Sequence, residues 1–213
     1  MSSPSPTSKT RLGVLISGSG TNLQAILDAV RAGTLTTDVA IVVSNIASAK
    51  GLDRARAAGV PVAVVDHKAF PDRTSFDAAL VELFRANGVN LVVLAGFMRL
   101  VTPTLLGAFP NRVVNVHPAL LPAFPGIHAQ KQALDYGVKV TGCTVHFVDA
   151  GTDTGPVIAQ ATVAVEDTDD EESLRTRILA QEHALLPKVL QWIADGRVHV
   201  ETGEGKRPRV RIV

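Results

Sequence analysis

The chain has 213 residues, 46% of them hydrophobic and 19% charged, which allows one sizeable globular core or two small ones. With 21 Lys+Arg against 20 Asp+Glu the formal charge is +1, so there is no bulk electrostatic reason to expect nucleic acid or an anionic membrane as partner. A single cysteine, Cys143, excludes an internal disulfide, and the most apolar run, Leu91 to Met98, is too short to span a bilayer and is cut by Arg99.

The opening MSSPSPTSKTR is polar and rich in Pro and Ser, without the apolar stretch of a signal peptide. Residues 1–10 are therefore expected to be disordered, and the protein to be reduced and cytoplasmic. Short β-branched runs then alternate with segments of helical period, the pattern of βαβ units and a largely parallel sheet. Strands are expected at about Leu12 to Ile16, Val39 to Ser44, Val60 to Val65, Leu91 to Ala95 and Val113 to Val116. Between them, helices are expected at about Asn22 to Ala32, Leu52 to Ala58, Thr74 to Asn87 and Pro103 to Ala108, three of which run into Gly33, Gly59 and Gly88. After residue 118 the grammar changes to a loop with Pro118, Pro122 and Pro125, a short helix near Ala129 to Asp135, and two extended runs, Lys139 to Val148 and Pro156 to Val165. Those two runs suggest an antiparallel addition to the sheet. A last helix spans about Asp170 to Ala194, with Thr168 and Glu171 spaced as a capping box, Leu174, Ile178, Leu185, Val189 and Ile193 on one face, and Pro187 expected to kink it. The fold expected is α/β: a single domain over 11–197, an open, mostly parallel twisted sheet with flanking helices, Rossmann-like, with an antiparallel C-terminal addition. Residues 198–213 read as a tail, and Lys206, Arg207, Arg209 and Arg211 in it, without interleaved aromatics, fit a solvated terminus better than an RNA site.

Three segments could carry chemistry. Val14 to Leu23 is a strand entering a glycine-rich turn, Ser17-Gly18-Ser19-Gly20-Thr21-Asn22, that opens a helix. Glycines let backbone N–H groups approach an anion, so the segment is either a phosphate cradle or a tight turn without a ligand. Leu23 occupies the third Gly position of the dinucleotide fingerprint, which favours a phosphate monoester over a dinucleotide. Asn115 and His117 lie two apart at the end of a predicted strand, so they share a face; they could polarise a carbonyl and hold an oxyanion, or simply cap the strand. In Asp149-Ala150-Gly151-Thr152-Asp153-Thr154-Gly155-Pro156, loop Asp residues usually bond their own turn, whereas one placed beside an imidazole would raise its pKa. Six histidines show neither HExxH nor Cys partners at ligand spacing, so no metal is expected.

Taken together, Ile16 to Gln24, Leu94-Ala95-Gly96-Phe97-Met98-Arg99, Asn115-Val116-His117-Pro118-Ala119-Leu120-Leu121-Pro122 and Val145-His146-Phe147-Val148-Asp149 through Asp153-Thr154-Gly155-Pro156 closely resemble the phosphoribosylglycinamide formyltransferase family of folate-dependent formyl transfer. The match runs in order from about Leu12 to Gly196, with Ser19, Thr21 and Thr144 departing from the family's commoner residues. The resemblance implies that 10-formyltetrahydrofolate donates a formyl group to the amine of glycinamide ribonucleotide in purine synthesis; small-molecule substrates are expected as partners, with no nucleic acid or membrane and the oligomeric state left open. It implies that Gly20, Thr21 and Asn22 bind the nucleotide phosphate, and that Leu179, Ala180, Gln181 and Glu182 approach its ribose and glycinamide. Arg73, Met98, Arg99, Leu100, Val101, Asn115 and the loop Asp149, Ala150, Gly151, Thr152, Asp153 would form the folate site. His117 would be the general acid, Asn115 a second donor, Asp153 the carboxylate that raises the His117 pKa, and Thr144 and His146 supports for this cluster. Methionyl-tRNA formyltransferase and formyltetrahydrofolate hydrolase resemble longer chains, for whose additional domains 213 residues leave no room. A nucleotide-binding module without chemistry would not need Asn115, His117 and Asp153 together.

Overall fold

Strand β1 (Arg11–Ile16) is buried from Leu12 onward and has no polar side, as a strand covered on both faces requires. It belongs to a computed structural model that describes residues 9–213; the first eight residues of the expected N-terminal disordered segment lie outside the described part. Lys9 and Thr10 already join the fold, the Thr10 carbonyl accepting from Asp38 N–H at 3.0 Å. The chain continues through α1 (Thr21–Arg31), β2 (Asp38–Ser44), α2 (Gly51–Ala57), β3 (Val62–Val64), α3 (Arg73–Ala86), β4 (Leu91–Leu94), α4 (Pro103–Ala108) and β5 (Val113–His117). Then come α5 (Ala129–Tyr136), β6 (Val140–Phe147), β7 (Val157–Ala164), α6 (Glu171–Ala194), β8 (Val198–Glu201) and β9 (Arg209–Ile212).

Seven strands form one sheet in the order β3-β2-β1-β4-β5-β6-β7, parallel from β3 to β5 and antiparallel at β6 and β7. Connections leave β1 towards β2 on one side and later return to β4 on the other. This reversal places a crevice at the carboxyl ends of β1 and β4, where open α/β sheets bind ligands. One face packs Val14, Val93, Val114, Val116 and Val145 against Leu23 and Ile26 of α1 and Leu186, Val189 and Leu190 of α6. The other packs Leu15, Val43, Val92, Leu94 and Val113 against Phe76, Leu80 and Phe84 of α3 and Leu105 of α4. Alternation along β5 therefore puts Val114 and Val116 in the first layer and leaves Asn115 and His117 on the side of Val113.

Two expectations need correction. The α6 cap is Asp170, not Thr168: its carboxylate accepts from Ser173 N–H at 2.7 Å while Ser173 Oγ accepts from Asp170 N–H at 3.1 Å. Thr168 is excluded because Asp169, bonded to Glu166 N–H and paired with Arg177, closes a turn ahead of the helix. The segment read as a tail forms an antiparallel hairpin of β8 and β9 instead. Its Val198, Val200, Val210 and Ile212 pack on the α1/α6 core, while Arg209 and Arg211 alternate outward. α6 itself continues through Pro187 to Ala194. Among the described residues, no helix is long and apolar enough to cross a membrane.

Candidate active site

The glycine-rich turn leaves β1 at its carboxyl end and opens α1 at Gly20, whose φ of 69° is the left-handed conformation that glycine adopts without penalty. A Cβ there would stand 2.5 Å from the Gly51 Cα, so the turn and the start of α2 approach as bare backbones. No side chain caps α1, which leaves the N–H groups of its first turn free for an anion. Arg54 brings a positive charge to the same place, its Nε donating to the Ser19 carbonyl at 2.9 Å and its Nη1 to Gln24 Oε1 at 3.2 Å. Nothing in the sequence ties α2 to this turn, so Arg54 could not have been singled out there. Thr21 is half-buried, and the Asn22 side chain is committed elsewhere: its Nδ2 donates to Glu182 Oε2 at 2.7 Å, joining α1 to α6. Burial pushes the Glu182 carboxyl up to about 7, against the opposing pull of that hydrogen bond and of the Arg175 charge. Leu179, Ala180 and Gln181 form the preceding turn of α6, half-buried to exposed.

Asn115, His117, Thr144, His146 and Asp153 come together on the β5/β6 pair. Register places Asn115 opposite His146 and His117 opposite Thr144. His117 is 4% exposed; its Nε2 donates to the Phe124 carbonyl at 2.8 Å, since a carbonyl can only accept. That leaves Nδ1 facing Asp153 Oδ2 at 3.3 Å. Burial holds the His117 pKa below the ordinary imidazole value, partly offset by the Phe124 hydrogen bond and the Asp153 charge and reinforced by His146. The carboxylate thus raises the pKa as the resemblance implies, yet desolvation outweighs it.

Asp153 sits at φ 54° and accepts from Gly126 N–H at 2.8 Å, which ties its loop to the one after β5. Burial would raise its pKa, but the neighbouring His146 ring, the Gly126 N–H bond and the nearby His117 bring it below the usual carboxylate value. His146 donates from Nδ1 to the Phe147 carbonyl at 2.9 Å, so its Nε2 lone pair can accept from Asn115 Nδ2 at 3.2 Å. The Asn115 amide is thereby oriented with a second N–H still free. Thr144 Oγ1 donates to the Ala119 carbonyl at 2.7 Å and accepts from Leu121 N–H at 3.0 Å, pinning the loop that carries Phe124 and Gly126. Those two backbone groups were invisible in sequence because they contribute no side chain.

The remaining folate candidates are more open. Arg73 is the first residue of α3 and exposed; Met98 and Leu100 are 72% and 54% exposed, with Arg99 and Val101 half-buried. The Arg99 guanidinium lies over the Phe76 ring, 5.4 Å from its centroid. Asp149 spends its carboxylate on Gly151 N–H at 3.1 Å and Thr154 Oγ1 at 2.6 Å, and Ala150, Gly151 and Thr152 are exposed at the loop tip. Among the described residues no group of three or more His, Cys, Asp or Glu is arranged to hold a metal ion.

Residues 10–190 match the family described as formyl transferase. Over 190 residues the chain is 47% identical to the trifunctional purine biosynthetic protein adenosine-3 of Drosophila melanogaster, covering 88% of this chain but 14% of that protein. The Escherichia coli phosphoribosylglycinamide formyltransferase is 44% identical over 185 residues, 87% of either chain. A crystal structure of glycinamide ribonucleotide transformylase 1 from Symbiobacterium toebii superposes with a TM-score of 0.93 at 55% identity, covering 100% of this chain and 98% of that one. Matched across most of its own length and most of the bacterial relative's, the chain belongs to the formyl transferase family, in its phosphoribosylglycinamide formyltransferase group.

Proposed function

We propose that this protein transfers the formyl group of 10-formyltetrahydrofolate to the amine of glycinamide ribonucleotide, giving formylglycinamide ribonucleotide and tetrahydrofolate, a step of de novo purine synthesis in the cytoplasm. The observation that carries this reading is the set of Asn115, His117, His146 and Asp153, both histidines buried, in hydrogen-bond or close contact with one another at the end of the β5/β6 pair. We assign the chemistry to one domain over residues 11–197.

The nucleotide phosphate is held by the N–H groups of Gly20, Thr21 and Asn22 with Arg54 beside them, and Leu179 to Glu182 meet the ribose and glycinamide. Folate lies along Arg73, Met98 to Val101 and the loop 149–153. The substrate amine attacks the formyl carbon, forming a C–N bond while the carbonyl oxygen takes negative charge. The free Asn115 N–H and the His117 ring supply the pre-organised donors that such an oxyanion needs. Collapse breaks the bond to the folate nitrogen, and the proton lost by the amine is restored to that nitrogen through His117. At rest both ring nitrogens of His117 are engaged, so donation to substrate requires exchange of the Phe124 or Asp153 contact. Asp153 favours the imidazolium and so keeps a proton available.

Incubating the purified protein with both substrates and following tetrahydrofolate release tests the reading. Turnover should require both and should persist in chelator. Formylation of initiator tRNA with no activity on glycinamide ribonucleotide would refute it.

A further inference from the structure

Residues 95–102, between β4 and α4, include all four of the β4-side positions assigned above to folate, yet they form no strand or helix of their own. Two buried side chains from elsewhere hold the ends of this segment. At its start, Ser17 binds it twice: Ser17 N–H donates to the Gly96 carbonyl at 3.0 Å, and Met98 N–H donates to Ser17 Oγ at 2.9 Å. The hydroxyl proton goes to Asn45 Oδ1 at 2.7 Å, and Asn45 Nδ2 is held in turn by His67 Nδ1 at 3.2 Å. Ser17 Oγ thus has one rotamer with both its donor and acceptor functions used. At the far end, Thr102 N–H donates to Asp77 Oδ2 at 2.5 Å. Asp77 is 1% exposed and Ser17 7%, so water cannot substitute for either partner.

We propose that Ser17 and Asp77 are the positioning residues of the folate subsite, clamping the Met98–Val101 backbone at both ends, and that Ser17, being the first residue of the phosphate turn, sets that segment relative to the nucleotide subsite. The inference rests on the proposed function for the identity of the ligand. Its physical basis is that a short segment with one face open to solvent and no ladder depends on its end contacts for the shape of its backbone. Asp77 follows Arg73 by one helical turn on α3, and burial pushes its pKa up against the opposing pull of the Thr102 hydrogen bond and of the Arg99 and Arg73 charges.

The test compares Ser17→Ala, Ser17→Cys, Asp77→Asn and Asp77→Ala with the unaltered enzyme, measuring KM for each substrate, kcat, and hydrogen exchange at the Met98 and Thr102 amides. Removing one buried acceptor should raise the folate KM roughly tenfold, the scale of a single buried hydrogen bond. In Ser17→Ala the folate KM should rise several times more than the glycinamide ribonucleotide KM, and the Met98 amide should exchange faster. Asp77→Asn keeps an acceptor oxygen and should restore most of what Asp77→Ala loses, which a role in bulk packing would not predict. If Ser17→Ala does not fold, the near-isosteric Ser17→Cys provides the weaker acceptor for the same comparison. Equal rises in both KM values, an unchanged folate KM, or Asn performing no better than Ala at 77 would overturn the clamp. An unaltered enzyme inactive on this substrate pair would instead overturn the functional reading, and with it the folate identity of the segment, while faster Met98 exchange alone would not rescue the proposal.

Discussion

Asp149 and Asp153 belong to one loop and do opposite things. Asp149 bonds its own turn, as loop aspartates ordinarily do, whereas Asp153 reaches across to His117, His146 and Gly126. What separates them is backbone geometry: Asp153 sits in the left-handed region at φ 54°, which redirects its side chain away from the turn and over the sheet. Replacing Asp153 with Asn keeps the shape but removes the charge that offsets desolvation at His117, so the His117 pKa should fall further below the ordinary imidazole value. Activity that needs the imidazolium is lost as pH rises through that pKa, so the descending limb of the pH profile should move to lower pH. At neutral pH, kcat should drop by about 10²- to 10⁴-fold, the usual contribution of a positioned general acid. NMR titration of the imidazole in both proteins measures this directly; an unmoved His117 pKa would leave Asp153 as a loop tether only.

At the level of elements, the phosphate turn depends on a crossing of two glycines. Gly20 and Gly51 let the start of α1 and the start of α2 meet with no side chain between them, and Gly51 N–H closes the contact on the Gly18 carbonyl at 3.0 Å. Gly20→Val would both drive a Cβ into the Gly51 backbone and force a β-branched residue to positive φ. The expected result is a loss of glycinamide ribonucleotide affinity far larger than any loss of folate affinity, measured by calorimetry on folded protein. Parallel losses for both ligands would show that the turn supports the whole crevice rather than one subsite. A similar close approach explains Gly155, where a Cβ would lie 1.8 Å from the Phe147 carbonyl oxygen, so the 149–153 loop can return along β6 only through glycine.

For the molecule as a whole, α1 and α6 form one layer over the sheet, and the Asn22–Glu182 bond is the polar contact inside it. A carboxyl raised from 4.5 to about 7 keeps its proton in the folded chain after the unfolded chain has lost it. Stability therefore falls as pH rises through that window, and the penalty is complete above about 7. At ~1.4 kcal/mol per pKa unit the gap is on the order of 3 kcal/mol as an upper figure. Glu182→Gln retains an oxygen for Asn22 Nδ2 without the charge, so it should raise the melting temperature by several degrees at pH 8 and hardly at all near pH 5. Thermal denaturation at the two pH values checks the sign; equal shifts at both would trace the change to packing instead.

The strands of the main sheet and the α-helices α1 to α6 were legible in the sequence because each carries its own signal: β-branched runs bounded by turns, amphipathic periods, glycines at helix ends. The Asn115 and His117 pair was legible for the same local reason, two residues apart on one strand. The β8/β9 hairpin was not, since four-residue strands alternating apolar with polar or charged residues, Val-His-Val-Glu and Arg-Val-Arg-Ile, read as a charged tail until a core exists for the apolar side to cover. Nor could sequence choose between the local turn and the imidazole for Asp153, or find Arg54 beside Ser19, Asp77 beneath Thr102, or the Phe124 carbonyl on His117. Most of those contacts join residues far apart in the chain, and some, such as the Phe124 carbonyl seven residues from His117, use backbone groups that every residue possesses. Local periodicity determines which elements form; only their packing decides which buried polar groups must find one another, because the cost of leaving them unpaired arises when water is excluded.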